Sequence, residues 1–301
     1  MLTSLKQTRS YITLKEWTKA LRRRAKLSHY RGTQYRCPIC GIQLRAFKPI
    51  WRSYWIHYQQ YEYIRSPFAM ETFNVGAFSC PACDAYDRER LTALYLDRAF
   101  RAFDPKRRYR LVEFAPAHAL YRMIKRQPFI EYRSADLMRN DVDDRVDITN
   151  CPYADGSVDI FLCSHVLEHI EDDRRAMREL HRILAPDGFG IVLVPLFPDI
   201  DETHEDASIA TLHQRWKYFG GGDHVRQYGK QDFVDRLAAA GFEVDQLGID
   251  FFGREVFRQA GIAENSVLYV LRKEGRAQSA LHQTLPAVDQ DCGERQRGKK
   301  P

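Results

Sequence analysis

Apolar and polar positions change period three times between Val158 and Leu196, and the rest of the chain repeats that pattern in weaker form. VDIFLC (158–163) is a short, mainly apolar run, as expected of a strand covered on both faces of a parallel sheet. Asp172 and Asp173 follow at the start of a helix, where negative charge meets the positive end of the dipole. Ala176, Leu180, Ile183 and Leu184 recur at helical spacing and give that helix one apolar face. His181 and Arg182 fall in its last turn, Pro186-Asp187-Gly188 is expected to stop it, and Ile191–Val194 predicts the next strand. Strand, helix and strand in this order make a βαβ unit, a geometry that places ligands at the carboxyl ends of the strands.

The same reading predicts strands at Arg110–Phe114, Ile130–Ser134 (with Asp136 at its end), Val146–Ile148, Phe242–Leu247 and Val267–Arg272. Helices are predicted at Ala119–Lys125 and at Gln231–Ala240, the latter ended by Gly241. The expected fold class is α/β: a doubly wound, mostly parallel, seven-stranded Rossmann-like sheet with helices on both faces. A small module precedes it, joined through a helix over Arg88–Phe103. The predicted boundaries are 1–30 for a basic amphipathic helix, 31–104 for the module, 105–273 for the sheet domain and 274–301 for a polar, disordered tail.

Charge changes this picture in one place. The net charge is +6, but residues 1–36 carry ten Lys or Arg against a single acid, Glu16; the remainder has 36 basic and 39 acidic residues. The basic character therefore belongs to the N-terminal arm. Its T-x-x-E start at Thr13 and apolar Leu14, Trp17 and Leu21 suit a helix whose basic side faces solvent or an anionic surface. The acidic remainder argues against a broad nucleic-acid face on the main domain. No apolar run approaches the roughly 20 residues of a membrane span, and the first residues are too polar for a signal peptide. The expected location is cytoplasmic.

Four of seven cysteines form two CxxC pairs, Cys37/Cys40 and Cys80/Cys83; Cys151, Cys163 and Cys292 are scattered. Zinc favours four thiolates in a tetrahedron, so these four are the candidate ligands of a structural Zn²⁺. Residues 41–79 intervene, longer than the usual gap, so this segment must be an excursion whose ends return together. It holds Trp51, Tyr54, Trp55, Tyr58, Tyr61 and Tyr63 at helical spacing. Such a stripe serves packing or, alternatively, base stacking.

The run DITNCPYADGSVDIFLCSHVLEHIEDDRRAMRELHRILAPDGFGIVLVP (147–195) resembles class I S-adenosylmethionine-dependent methyltransferases of the type 11-like group. The segment WKYFGGGDHVRQYGKQDFVDRLAAAGFEV (216–244) and the paired CPxC motifs resemble a bacterial subset of them. The family's glycine-rich turn after the first strand is replaced here by Glu113-Phe-Ala-Pro-Ala-His118, without glycine. Ala115 leaves only a methyl in the way, and amides at the following helix end remain available to the cofactor's carboxylate.

The resemblance implies that Glu113 faces the methionine ammonium of S-adenosyl-L-methionine and that Asp136 accepts the ribose hydroxyls. Asp147 and Ile148 then meet the adenine, and Ser164 and His165 the methionine portion. Methyl transfer needs alignment in a dry pocket, plus a base where the acceptor is a hydroxyl or protonated amine. Candidates for that base are His224, after Gly220–Gly222, and His169; Arg226 is the candidate clamp for an anionic group. The acceptor implied is a small molecule, sugar or glycan precursor. Two alternatives stand beside it, an RNA acceptor and a non-catalytic binding protein on the same fold.

Overall fold

A computed structural model describes residues 27–273. The basic arm up to residue 26, the tail from residue 274 and Cys292 lie outside the described residues.

The sheet domain follows the pattern of the sequence closely. Strands β3 (Tyr109–Phe114), β4 (Ile130–Asp136), β5 (Asp144–Arg145), β6 (Val158–Ser164), β7 (Leu184–Leu193), β10 (Phe242–Leu247) and β11 (Leu268–Lys273) form one sheet in the order β10-β11-β7-β6-β3-β4-β5. β3, β4, β5, β6 and β7 pair in parallel, while β11 runs antiparallel to both β7 and β10; β8 (Leu196–Phe197) and β9 (Tyr228–Gly229) form a separate parallel pair, and α3 (His118–Ile124) follows β3. The chain leaves β3 toward β4 and later returns to the other side of β3 with β6. That reversal is a topological switch point, where a crevice opens at the carboxyl ends of the strands. Every residue of β6 from Val158 to Cys163 is buried, Asp159 included, as expected of a mainly apolar strand covered on both faces.

Two boundaries differ from expectation. The third strand is Asp144–Arg145 rather than Val146–Ile148. Val146 N–H still reaches the Asp136 carbonyl at 3.1 Å, but Asp147 then turns the chain by accepting from the Thr149 amide and hydroxyl. The second difference follows α4 (Asp173–Ile183), which is capped by Asp172 through the Arg175 amide. Strand β7 begins at once with Leu184, which pairs with Val158 and draws Pro186-Asp187-Gly188 into the strand. A side chain at Gly188 would collide with the Asp159 carbonyl, so this approach needs glycine.

The module is continuous with the sheet domain. Hairpin strands β1 (Arg31–Arg36) and β2 (Gln43–Leu44) carry the first CxxC, and the second leads into α2 (Asp87–Ala102). Cys37, Leu44, Phe47 and Cys80 belong to the same apolar core as Phe161 and Leu271. Arg90 of α2, wholly buried, donates to the carbonyls of Ala85, Ala260 and Gly261 at 2.9, 2.7 and 2.9 Å and also to that of Ala77. One guanidinium thereby ties the module's loop to the end of a helix late in the chain.

The aromatic excursion forms α1 (Arg52–Gln60) and packs against the domain. Its ring at Tyr61 stacks on Trp216 of α5 (Leu212–Phe219) with centroids 5.5 Å apart, and Tyr58 stacks on Tyr63 at 4.9 Å. Buried Glu71 at its return accepts from Tyr269 Oη at 2.7 Å and Lys230 Nζ at 2.8 Å. The excursion's ends do come back together, and most of the stripe serves packing. Trp51 and Trp55 remain partly exposed. Among the described residues, no helix is long and apolar enough to cross a membrane.

Candidate active site

The ends of β3 and β6 flank the switch point, and each strand is followed by a residue with left-handed backbone. Ala115 has φ +51° and His165 has φ +56°, conformations that side chains normally avoid. Each is held there by a backbone bond to the neighbouring strand, Ala115 N–H to the Ala135 carbonyl at 2.9 Å and His165 N–H to that of Leu193 at 2.8 Å. Strain of this kind concentrates at functional sites, where the surroundings over-determine it. The left-handed turn after β3 is thus held in shape with an alanine in it.

A cavity of about 570 Å³ opens there, lined by Glu113, Ala115 and Ser164 at the strand ends and by Tyr86, Arg88 and Glu89 at the start of the helix after the second CxxC. Its volume lies within the range of small-molecule sites. Glu113 is buried. One carboxylate oxygen accepts from Ala117 N–H at 2.9 Å and the other from Tyr132 Oη at 2.7 Å. Burial nevertheless pushes its pKa up to about 7, ahead of the opposing pull of these two bonds. A cationic group arriving beside it would be welcome. Ser164 Oγ is buried without a hydrogen-bond partner, a further polar atom suited to a ligand.

Asp136, Asp147 and Ile148 stand at the next two strand ends, outside the lining of this cavity. Asp136 Oδ1 accepts from the amides of Met138 and Arg139 at 2.7 and 3.0 Å, bracing the turn after β4. Asp147 is exposed, and Ile148 is packed into the core. Nothing in the pattern of residues points to Tyr86, Arg88 and Glu89 here. Their only signal is position, directly after the second CxxC, and nothing in the spacing said that α2 would begin over β3 and β6.

A second polar group lies just beyond Ser164. Glu168 is 1% exposed, and three imidazoles surround it. His165 Nδ1 stands 3.3 Å from Oε1, and His169 Nε2 is 4.0 Å from the same oxygen. The rings of His169 and His224 meet edge to face at 4.8 Å. Burial opposes the charge of Glu168; the hydrogen bond and charge that His165 offers when protonated, with the charges of His224 and His169, act the other way and hold the carboxyl down at about 2. Enclosure pushes His165 down to about 4 and lowers His224 as well. His165 is therefore neutral at pH 7.

The predicted loop and the predicted DHVRQY segment are thus brought together, with Val225 N–H on the Glu168 carbonyl at 2.9 Å. Arg226 has a different place from the expected clamp. It is buried, with Nε on Glu205 at 2.7 Å, Nη1 on the carbonyls of Leu167 and Ile170, and Nη2 on that of Glu171 at 2.9 Å. Its donors brace the loop that presents Glu168. Tyr228 Oη adds a bond of 2.6 Å to Asp173, which Arg236 also holds. The three glycines before His224 serve close packing: side chains at Gly221 and Gly222 would collide with His224 and with Leu212 and Trp216.

In the module, Cys37 and Cys83 Sγ lie 3.7 Å apart and Cys40 and Cys80 Sγ 3.8 Å apart. All four sulfurs fall within 4.8 Å of one another. A tetrahedron with Zn–S near 2.3 Å has edges of about 3.8 Å, so the donor set fits zinc in type and spacing.

The family described as "Methyltransferase domain" matches residues 122–192. Among solved structures, the chain is similar to the S-adenosylmethionine dependent methyltransferase from Mesorhizobium loti (15% identity over 58% of this chain and 96% of that one, TM-score 0.39). It is also similar to the 1,6-didemethyltoxoflavin-N1-methyltransferase of Burkholderia thailandensis (14% identity, 60% and 77%, TM-score 0.40). A third is the YcgJ protein from Bacillus subtilis (15% identity, 60% and 98%, TM-score 0.38). No curated protein matches the chain.

Proposed function

We propose, from the premise that this chain carries a class I S-adenosylmethionine-dependent methyltransferase domain, that it transfers a methyl group to a small-molecule, sugar or glycan-type acceptor. The observation that carries the reading is the cavity at the β3/β6 switch point, with buried Glu113 and unpartnered Ser164 on its sheet side. The cofactor supplies an activated methyl on a sulfonium, which needs no acid to leave. What remains for the chain is to bind, orient and exclude water.

In this reading Glu113 answers the ammonium of the donor's methionine part, and Ser164 and His165 take its remaining polar groups. Asp136, Asp147 and Ile148 extend the site along the next strand ends toward ribose and adenine. His224 is the candidate base: Nδ1 is tied to the Phe219 carbonyl at 3.0 Å, which leaves the lone pair on Nε2. The module of residues 31–104, with zinc on Cys37, Cys40, Cys80 and Cys83, forms part of the lining of the 105–273 domain's cavity. Zinc here is structural, because four thiolates leave no open position.

Isothermal titration with S-adenosylmethionine tests the reading. Micromolar binding is expected, and near pH 7 it releases a proton as the ammonium draws Glu113 into its charged form. The binding enthalpy will then depend on the buffer's ionisation enthalpy. Absence of binding at millimolar donor defeats the proposal. A purified chain that methylates RNA in preference to small hydroxylated acceptors would move the acceptor to the other class.

A further inference from the structure

Glu168 poses a problem that the methyl-donor site does not solve. Both of its carboxylate oxygens are buried without a hydrogen-bond partner, the nearest donor being His165 Nδ1 at 3.3 Å from Oε1. A buried carboxylate is costly unless it is paired with a cation or well supplied with donors. The chain nevertheless spends considerable structure on presenting it. Arg226 pins the carbonyls of Leu167, Ile170 and Glu171, and Val225 pins that of Glu168 itself.

The two neighbouring imidazoles are oriented in one sense. His224 Nδ1 faces the Phe219 carbonyl at 3.0 Å; His169 Nδ1 faces both the Asp223 carbonyl and its carboxylate at 3.3 Å. Each Nδ1 is thus committed as a donor to an oxygen, and each Nε2 is left with its lone pair. That is the arrangement by which outer groups fix the tautomer of metal-bound histidines. One ligand atom from each of Glu168, His169 and His224 lies within 4.8 Å of the others, and drawing in brings them to a common ion.

We propose that Glu168, His169 and His224 form a second metal centre, for a divalent first-row transition ion held by one carboxylate and two imidazoles. Two imidazoles with one carboxylate suit zinc, iron, manganese or cobalt and leave coordination positions open, unlike the four thiolates of the module. The inference rests on the methyltransferase reading in one respect only. With Ser164 in the cavity wall four residues before Glu168, an open position there would receive an oxygen of the acceptor. The Nε2 lone pair of His224 then belongs to the ion and not to a proton.

The probe is Co²⁺, titrated into the full chain with Zn²⁺ already on its thiolates and without any methyl donor. One further equivalent of cobalt is expected, with ligand-field absorption but no thiolate-to-cobalt charge transfer and no zinc released. His169→Ala and His224→Ala should each weaken cobalt binding at least tenfold, and Glu168→Gln likewise, with far-UV circular dichroism unchanged. Ring resonances of His169 and His224 in the unsubstituted chain should show paramagnetic broadening or shifts at the same stoichiometry, which needs no variant to fold. A chain that takes up no additional cobalt at millimolar concentration overturns the proposal, as does undiminished binding in folded variants. Donor titration is a separate measurement, so loss of this site and loss of the methyltransferase reading are distinguishable.

Discussion

The thiolate corner of the module and the switch-point corner of the sheet both gather polar groups in buried surroundings, and they treat them in opposite ways. Around Cys37, Cys40, Cys80 and Cys83 the donors match one another in spacing, and Arg90 nearby has a carbonyl for nearly every N–H. Around Glu113, Ser164 and Glu168 the groups are raised in pKa, unpartnered or without donors, and the backbone at Ala115 and His165 is strained. One corner is arranged for stability. The other holds unsatisfied groups in place, as a site awaiting ligands does. The comparison predicts opposite signs: changes at the thiolates should destabilise, whereas conservative changes at the switch point should stabilise and cost binding.

The largest effect is expected at the thiolates. Cys80→Ser, or removal of zinc by a chelator, should cost several kcal/mol, since a structural zinc contributes its binding energy directly to folding. Urea denaturation followed by circular dichroism measures it. Because Tyr86, Arg88 and Glu89 follow the second CxxC, donor affinity should fall with it. A variant as stable as the parent would show that the four sulfurs are a packing cluster, and the contrast between the corners would vanish.

That half of the contrast was legible in the sequence because CxxC spacing is local: a two-residue turn fixes each pair of sulfurs, and only the return of residues 41–79 had to be supplied. The sheet was legible for a related reason, since β6 and α4 announce themselves by period. The switch-point corner was only partly so. Glu113 and Ser164 stand at strand ends and His165 just beyond one, which follows from the strands, while their roles rest on the resemblance alone. Glu168 lies inside the HVLEH loop, but nothing local says that His224, more than fifty residues later, is folded against it. Arg226 is illegible for the same reason: a charged residue in a motif looks available until the carbonyls that occupy it are known.

A smaller effect, of the other sign, is expected at Glu113. Its pKa rises from 4.5 to about 7 on folding, so the folded state holds the proton more tightly than the unfolded chain. The stability this contributes is present below pH 4.5 and is lost as pH rises through about 7, by on the order of 3 kcal/mol. Glu113→Gln should flatten that limb, because its amide can accept from Ala117 and donate to Tyr132 Oη. Stability measured from pH 4.5 to 8 should therefore decline less in the variant than in the parent, while donor binding weakens. Parallel profiles would mean that Glu113 is charged throughout and that the corner is less frustrated than its burial implies.

The smallest effect is expected at Ala115, and it bears most directly on whether the missing glycine matters. An alanine at φ +51° carries a left-handed cost of about 1–2 kcal/mol that glycine does not, while glycine loses more entropy on folding. The two oppose each other, and the net for Ala115→Gly should be a stabilisation of about 0.5–1 kcal/mol. Thermal melting resolves such a change in a chain of this size only with the buffer and zinc content held fixed. Donor affinity is the more telling readout. The Ala115 amide is already bonded to the Ala135 carbonyl, so the loop's shape is set by β4 and not by the residue type. Affinity should then change by less than about threefold. A much larger gain would show that the alanine methyl obstructs the donor, and that this chain binds it despite its first loop.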